Sequence, residues 1–380
     1  MVISKLKKNI FIIAGESSGD QHAANYVNEH KKLNPNISFS AIGQQELKNS
    51  GADIIFNSEI ISVVGIIEVI FKYKKIRKAL NIACEHIINN KPDLIVLVDY
   101  VEFNLKIAKF AKEKNIPVLF YVAPQVWAWR EKRIKKIINA VNHLAVVFPF
   151  EKKLFDKYTK NVTYVGHPLA DNDALSPSQL NYNEKTTHIG IFPGSRESEI
   201  RNNLHCMINC IRIDKDKEIY NKIKIFYSNN TAKKLISNLL PKNWGKLLVS
   251  GRNINEIKKC KKAITASGTI TLELALMNIP MVIVYRLSPI SYFIMKNLIK
   301  LKYIGLVNLV LGNTLGSRPI VKEFIQPGYS DEIEVMVELQ NIDQNKKYRE
   351  DIQDGYKEIR SVLKPGAAIN VAKLAEEMII

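Results

Sequence analysis

The residues best placed to do chemistry in this chain sit where apolar runs stop. Asp99 closes the run LIVLVD, and ligands of open α/β sheets bind outside the carboxyl ends of the strands. A carboxylate there can take a proton from a hydroxyl within hydrogen-bond reach, although a capping or turn bond is the plainer use for it. In HIGIFPGSRESEI a strand pattern passes through Pro193, Gly194, Ser195 and Arg196 into a helix. Arg196 offers a planar fork of donors suited to diphosphate oxygens. In KAITASGTITLELAL the residues Ser267, Gly268 and Thr269 precede a helix with Glu273 one turn in. Hydroxyls, amides and the positive helix end then converge on an anion, and a carboxylate further along can hold ribose hydroxyls.

Other segments suit neutral or lipid-like ligands. IFIIAGESSGD runs from a strand through Gly15, Glu16, Ser17, Ser18, Gly19 and Asp20 into a helix. The glycines allow close approach of a ligand to backbone, but two acids oppose an anion and suit sugar hydroxyls better. Helix capping by Ser18 or Asp20 explains the same pattern. YVAPQVWAWREKRIKKI places Trp127 and Trp129 before a basic helix. They suit a sugar or lipid groove with Arg130, Lys132 and Arg133 at a phosphate, or aromatic packing beneath a solvated basic face. Gly166-His167-Pro168 reads as a turn presenting a histidine, or as a satisfied histidine in the fold.

The elements that must position these residues alternate. Apolar runs at 10–14, 38–42, 94–99, 118–122, 144–147 and 162–165 read as strands, with helical patterns at 21–33, 65–89 and 104–114 between them. After His167 the polar stretch 168–187 carries two prolines, and the alternation restarts with strands at 188–192, 223–227, 247–250, 263–265 and 281–284. Such alternation predicts right-handed βαβ units and parallel sheets. The expectation is an α/β protein of two Rossmann-like domains facing across a cleft: 1–170, a linker at 171–187, 188–345, and C-terminal helices at 346–380 that could cross back to the first domain.

Composition sets limits. The chain has 380 residues, and 55 Lys plus Arg against 37 Asp plus Glu give a formal charge of +18, which favours anionic partners. The aromatics are not interleaved with basic residues in a nucleic-acid-binding pattern, and none is expected as partner. Cys84, Cys206, Cys210 and Cys260 form no Cys-x-x-Cys pair, so buried free thiols in a reducing compartment are expected. A zinc site from Cys206, Cys210 and His205 is the sharper alternative, short of a fourth ligand. No apolar stretch is long enough to cross a bilayer, and no signal peptide is evident.

Taken together, these blocks resemble the lipid-A-disaccharide synthase family of GT-B-type inverting glycosyltransferases. AGESSGD, VVGIIEV, FN after Asp99, YVAPQVWAWR, FPFEKKLFDKY, VGHPLAD, PGSR, ASGTITLELAL, PMVIVYR, and VNLVLGN followed by VKEFIQ stand in the family's order over nearly the whole chain. The resemblance implies a UDP-2,3-diacylglucosamine donor and a 2,3-diacylglucosamine 1-phosphate acceptor, joined β-1,6 with release of UDP. It implies Asp99 as base; Ser195, Arg196, Ser267, Gly268, Thr269, Glu273, Asn308 and Gln326 at UDP; and Glu16, Ser18, Asp20, Trp127 and His167 on the acceptor side. Neither metal nor other cofactor is expected. Related GT-B enzymes acting on UDP-N-acetylglucosamine, a 2-epimerase or the muramyl-pentapeptide glycosyltransferase, are the alternative. Acylated substrates imply a cytoplasmic protein attached peripherally to the inner face of the cytoplasmic membrane, with homodimerisation left open. SEIISVVGIIEVIFKYKKIRKAL, with Lys72, Lys74, Lys75, Arg77 and Lys78, suits an interfacial helix or an ordinary core helix with a solvated basic end, and residues 289–303 are of similar mixed character. The chain departs from the family after Asp99, where Tyr100-Val101-Glu102-Phe103-Asn104 replaces the usual Ala-Pro-Asp-Phe-Asn, and at 43–51.

Overall fold

A computed structural model describes residues 8–61, 66–122, 131–213, 222–287, 292, 303–312, 318–326 and 328–379. Trp127, Trp129 and most of 289–303 lie outside the described residues, as do the side chains of 62–72.

The chain divides into two compact units, Met1–Asp171 with Lys364–Ile380, and Asn172–Leu363. In the first, β1 (Asn9–Ala14), β2 (Ser38–Gly43), β3 (Asp53–Asn57), β4 (Leu94–Val98), β5 (Val118–Tyr121), β6 (His143–Val146) and β7 (Val162–Tyr164) form a parallel sheet in the order β3-β2-β1-β4-β5-β6-β7. Strands covered on both faces read as unbroken apolar runs, and β4 is buried at every residue. Helices Ile66–Asn90, Val101–Glu113 and Glu131–Ala140 share one core with Phe11, Ile13, Ile95, Leu97, Val118 and Phe120. Strand side chains alternate between faces, so the helix Ser17–Leu33, whose Gly19 meets Val98 and Ala14, lies on the other.

The last helix, Ala367–Ile379, packs on Ser17–Leu33. His30 Nε2 lies 2.8 Å from Glu376 Oε1, Lys8 Nζ donates to Ile379 O at 2.8 Å, and the Asp171 carboxylate takes the N–H groups of Gly366 and Ala367. The preceding helix, Lys346–Val362, belongs to the second unit, so the 346–380 helices divide between the two.

The second unit contains β8 (Thr187–Phe192), β9 (Ile223–Tyr227), β10 (Leu248–Ser250), β11 (Cys260–Thr265), β12 (Met281–Tyr285) and β13 (Glu323–Ile325), parallel in the order β10-β9-β8-β11-β12-β13. Residues 172–187, expected as a linker, belong to this unit. The Ser178 N–H donates to Met277 O at 3.3 Å, and the Tyr182 hydroxyl donates to Asp343.

That contact belongs to a buried ionic group. Lys262, fully buried in β11, pairs with Asp343 and donates to Leu339 O at 2.9 Å, and His188 Nε2 lies 3.2 Å from the same carboxylate. Burial alone would raise the Asp343 pKa. Hydrogen bonding from His188, the charge and hydrogen bond of Lys262, and the Tyr182 hydroxyl overcome it and hold the carboxyl well below the usual range. A depressed carboxyl pKa adds stability above its unfolded-state value of about 3.9, lost as pH falls through and below that value. Asp343→Ala, which strands the Lys262 ammonium, is expected to lower unfolding free energy in urea by about 3–5 kcal/mol at neutral pH, with the gap from wild type closing below about pH 4.

Candidate functional site

In each sheet the chain reverses direction of build at one point, between β1 and β4 and between β8 and β11. Open α/β sheets bind ligands at such points. The register Ala14↔Val98 sets Gly15 and Glu16 against Asp99, and Phe192↔Thr265 sets the 193–196 loop against Ser267, Gly268 and Thr269. Residues far apart in sequence are thereby collected into two groups, one in each unit.

At the first point the backbone is strained. Asp99 and Tyr100 have φ of 50° and 43°, and Val122, just past β5, has φ of 56°. Left-handed backbone at residues other than glycine costs of order 1–3 kcal/mol each and persists only where surroundings enforce it, most often at functional sites. The surroundings are visible. The buried Asn104 amide donates to Val98 O at 3.3 Å and to Asp99 O at 2.7 Å. The Asp99 N–H reaches Tyr121 O at 3.4 Å, and the Tyr100 hydroxyl donates to Ile61 O at 2.9 Å. The Tyr100 ring stacks on Phe103 with centroids 5.4 Å apart. Burial, then the nearby Glu16 carboxylate, push the Tyr100 hydroxyl pKa up. Glu102 is exposed and pairs with Arg133 at 2.8 Å.

Asp20 requires a correction. It is nearly fully buried, and its carboxylate accepts N–H groups from Gln44 at 2.6 Å, Glu46 at 2.9 Å and Leu47 at 3.3 Å. It holds the turn after β2 and leaves little for an acceptor. Neither it nor the exposed Ser18 caps Ser17–Leu33, whose N-cap Glu16 makes no side-chain cap bond. His167 is buried against Phe148, and its Nδ1 accepts the Leu169 N–H at 3.1 Å. Burial, then the neighbouring His22, lower its pKa to about 3, so the ring is neutral with its proton on Nε2.

At the second point, Gly194 has φ of 120°, and a Cβ there would lie 2.6 Å from Glu199 Cβ. The carboxylate of Glu199 accepts the N–H groups of Ser195 at 3.1 Å and Arg196 at 3.3 Å, and lies 3.5 Å from Arg196 Nη1. The loop amides already hold an internal carboxylate, leaving a ligand the half-exposed guanidinium and the Ser195 hydroxyl. Glu199, not singled out from sequence, stands three residues past the N-cap Arg196, the glutamate position of a capping box. Around Gly268, with φ of 155°, an added Cβ meets nothing within 4 Å, so backbone there is open to a ligand. Ser267 Oγ donates to Ile304 O at 2.9 Å, and Thr269 is exposed. Burial raises the Glu273 carboxyl pKa, and among the described residues no side chain partners it.

Asn308 and Gln326 also require correction. Asn308 is fully buried; its amide donates to Val321 O and Glu323 Oε1, both at 2.7 Å, and accepts the N–H groups of Ile320 and Val321 at 3.2 Å. Its hydrogen-bonding capacity is spent. Gln326, at φ of 57°, clamps the Leu287 N–H and C=O at 2.9 Å each. Both order backbone around the site. Asn203, also missed, is buried in a helix and ties Pro193 O at 3.3 Å to the Arg286 N–H at 2.7 Å, which places Arg286 at the end of β12. Among the described residues no group of three metal-ligating side chains is gathered.

The family model described as "LpxB: Lipid-A-disaccharide synthetase" matches residues 10–378. The chain belongs to the lipid-A-disaccharide synthase family. A relative named lipid-A-disaccharide synthase from Geobacter metallireducens is 37% identical over 84% of this chain and 84% of its own length. One of the same name from Coxiella burnetii is 35% identical over 98% of this chain and 99% of its own. Among solved structures, the chain resembles the glycosyltransferase of kitacinnamycin (TM-score 0.61, 11% identity, 97% of this chain and 98% of that one). It also resembles a Neisseria meningitidis UDP-GlcNAc 2-epimerase bound to UDP-GlcNAc (TM-score 0.61, 11% identity, 98% and 99%). These likenesses show the GT-B fold, two parallel α/β sheets with C-terminal helices.

In this member of the lipid-A-disaccharide synthase family, Gly15 makes room for Tyr100: an added Cβ would lie 2.3 Å from Tyr100 Cγ. Gly15→Ala is expected to cost about 1–3 kcal/mol of unfolding free energy, as overpacking does. Adding Tyr100→Ala should relieve most of the clash, read as a coupling in a double-mutant cycle.

Proposed function

We propose that the chain transfers 2,3-diacylglucosamine from its UDP conjugate to the 6-hydroxyl of 2,3-diacylglucosamine 1-phosphate, giving the β-1,6-linked lipid A disaccharide 1-phosphate and UDP. The observation that carries the chemistry is Asp99 on enforced left-handed backbone at the end of β4, in a member of this family. Inversion needs one in-line displacement. Asp99 takes the proton of the acceptor hydroxyl as its oxygen attacks the anomeric carbon, and the UDP oxygen leaves with the bonding pair. Charge building on the diphosphate is met by the Arg196 guanidinium, the Ser195 hydroxyl and the open backbone at 267–269. Glu273, poor in partners and shaded from water, suits ribose hydroxyls. Glu16 and Ser18 border the acceptor, with His167 beyond; Asp20, Asn308 and Gln326 serve by holding backbone in place.

Acylated substrates also call for a bilayer surface. Lys74, Lys75, Arg77, Lys78, Lys106, Lys109, Lys135 and Lys136 are exposed on the layer formed by the helices Ile66–Asn90, Val101–Glu113 and Glu131–Ala140. Each contributes about 1 kcal/mol when near an anionic leaflet. This supports peripheral attachment to the cytoplasmic face of the inner membrane. No helix among the described residues is long and apolar enough to cross a membrane.

Purified protein in detergent should release UDP and form disaccharide only when both acylated substrates are present. Absence of disaccharide, or turnover of unacylated UDP-N-acetylglucosamine in its place, would refute the assignment. Asp99→Asn should abolish turnover with UDP affinity near wild type, measured by calorimetry. Arg196→Ala should instead weaken UDP binding, by roughly 1.5–3 kcal/mol, the range for a hydrogen bond to a charged group.

A further inference from the structure

His22 is used by nothing described so far. It lies in the helix Ser17–Leu33, three residues beyond Gly19, and residues three apart share a helix face. At Gly19 that face meets the end of β4, where an added Cβ would lie 3.6 Å from Val98 Cγ1 and 3.7 Å from Val98 O. The His22 ring is 6.5 Å from that of Tyr121, whose carbonyl takes the Asp99 N–H. His22 also lies close enough to His167 to influence its titration. The imidazole thus stands among the strand ends that present Asp99.

Its hydrogen bonding is incomplete. Nδ1 is closed off from solvent and has no partner, and among the described residues Nε2 makes no hydrogen bond either. A closed-off N–H is the rarer and costlier orphan, so the proton belongs on Nε2. His22 as a whole is only half-buried, so Nε2 is the end of the ring left for a ligand. Burial also lowers the His22 pKa to about 4, which keeps the ring uncharged at neutral pH. An uncharged N–H donor does not attract phosphate strongly, but it suits a sugar hydroxyl or an acyl carbonyl oxygen.

We infer that His22 is a further acceptor-binding residue, donating an Nε2–H hydrogen bond to an uncharged oxygen of the acceptor sugar beside Asp99. The inference rests on the transfer reaction proposed above. The fixed tautomer gives His22 a role different from that of Asp99: it holds the acceptor and takes no proton.

The test varies acceptor and donor separately for wild type, His22→Phe and His22→Gln, with UDP affinity and melting temperature as controls. His22→Phe should lower kcat/KM for the acceptor about tenfold, the scale of one neutral hydrogen bond. Donor KM and UDP affinity should hold within about twofold. His22→Gln, which restores a donor, should recover most of the loss. An acceptor kcat/KM unchanged in both variants, or a loss in both that extends equally to donor KM and UDP affinity, overturns the inference. If His22→Phe does not fold, His22→Gln decides against His22→Ala by the same readouts. Disaccharide formation by wild type is scored first; its absence defeats the transfer reading itself, whereas its presence with indifferent variants defeats only the role of His22.

Discussion

Two adjacent residues held in left-handed backbone, Asp99 and Tyr100, are the constraint on which the first unit's site depends. Neither is glycine, so the conformation is imposed. Asn104 imposes it from the next helix by gripping the carbonyls of Val98 and Asp99, and Tyr100 is anchored at both ends, by Phe103 under its ring and by Ile61 O at its hydroxyl. Gly15 makes room for that ring at the end of the neighbouring strand. The Cα–Cβ bond of Asp99, which a looser turn would leave variable, is thereby given one direction. Preorganisation of this kind is what a general base needs in order to meet a hydroxyl in reactive geometry.

The second unit solves a different problem by similar means. Its ligand is expected to be charged, and its loops are held by side chains that satisfy backbone before any ligand arrives. Glu199 gathers the Ser195 and Arg196 amides, Asn203 ties Pro193 to Arg286, Asn308 and Glu323 hold the amides of Ile304, Gly305, Ile320 and Val321, and Gln326 clamps Leu287. What is left open is selective: a guanidinium, hydroxyls, glycine backbone and one shaded carboxylate.

Much of this fold was legible because buried parallel strands announce themselves as apolar runs, as β1, β4 and β5 do. The strands β3 and β13 were not legible. Both lie at sheet edges, and DIIFN and EFI each carry an exposed or half-exposed residue where a core strand would be closed. The position of Asp99 followed from its place after an apolar run, whereas its backbone conformation did not, since local sequence carries no glycine to signal it. Asp20 stands near a strand end and Asn308 and Gln326 fall in family blocks, and neither signal tells a polar residue that binds a ligand from one that binds backbone. Only the count of donors and acceptors already in use separates the two. His22 was invisible for the opposite reason: a histidine inside a helix shows nothing in sequence until the packing around each ring nitrogen is known.

A crystal structure with 2,3-diacylglucosamine 1-phosphate bound addresses the central claim most directly. The account predicts the acceptor 6-hydroxyl oxygen within about 2.6–3.2 Å of an Asp99 carboxylate oxygen, with residues 99 and 100 still at positive φ. An acceptor sugar seated away from Asp99, or a relaxed backbone at 99 and 100 in the occupied site, would contradict it.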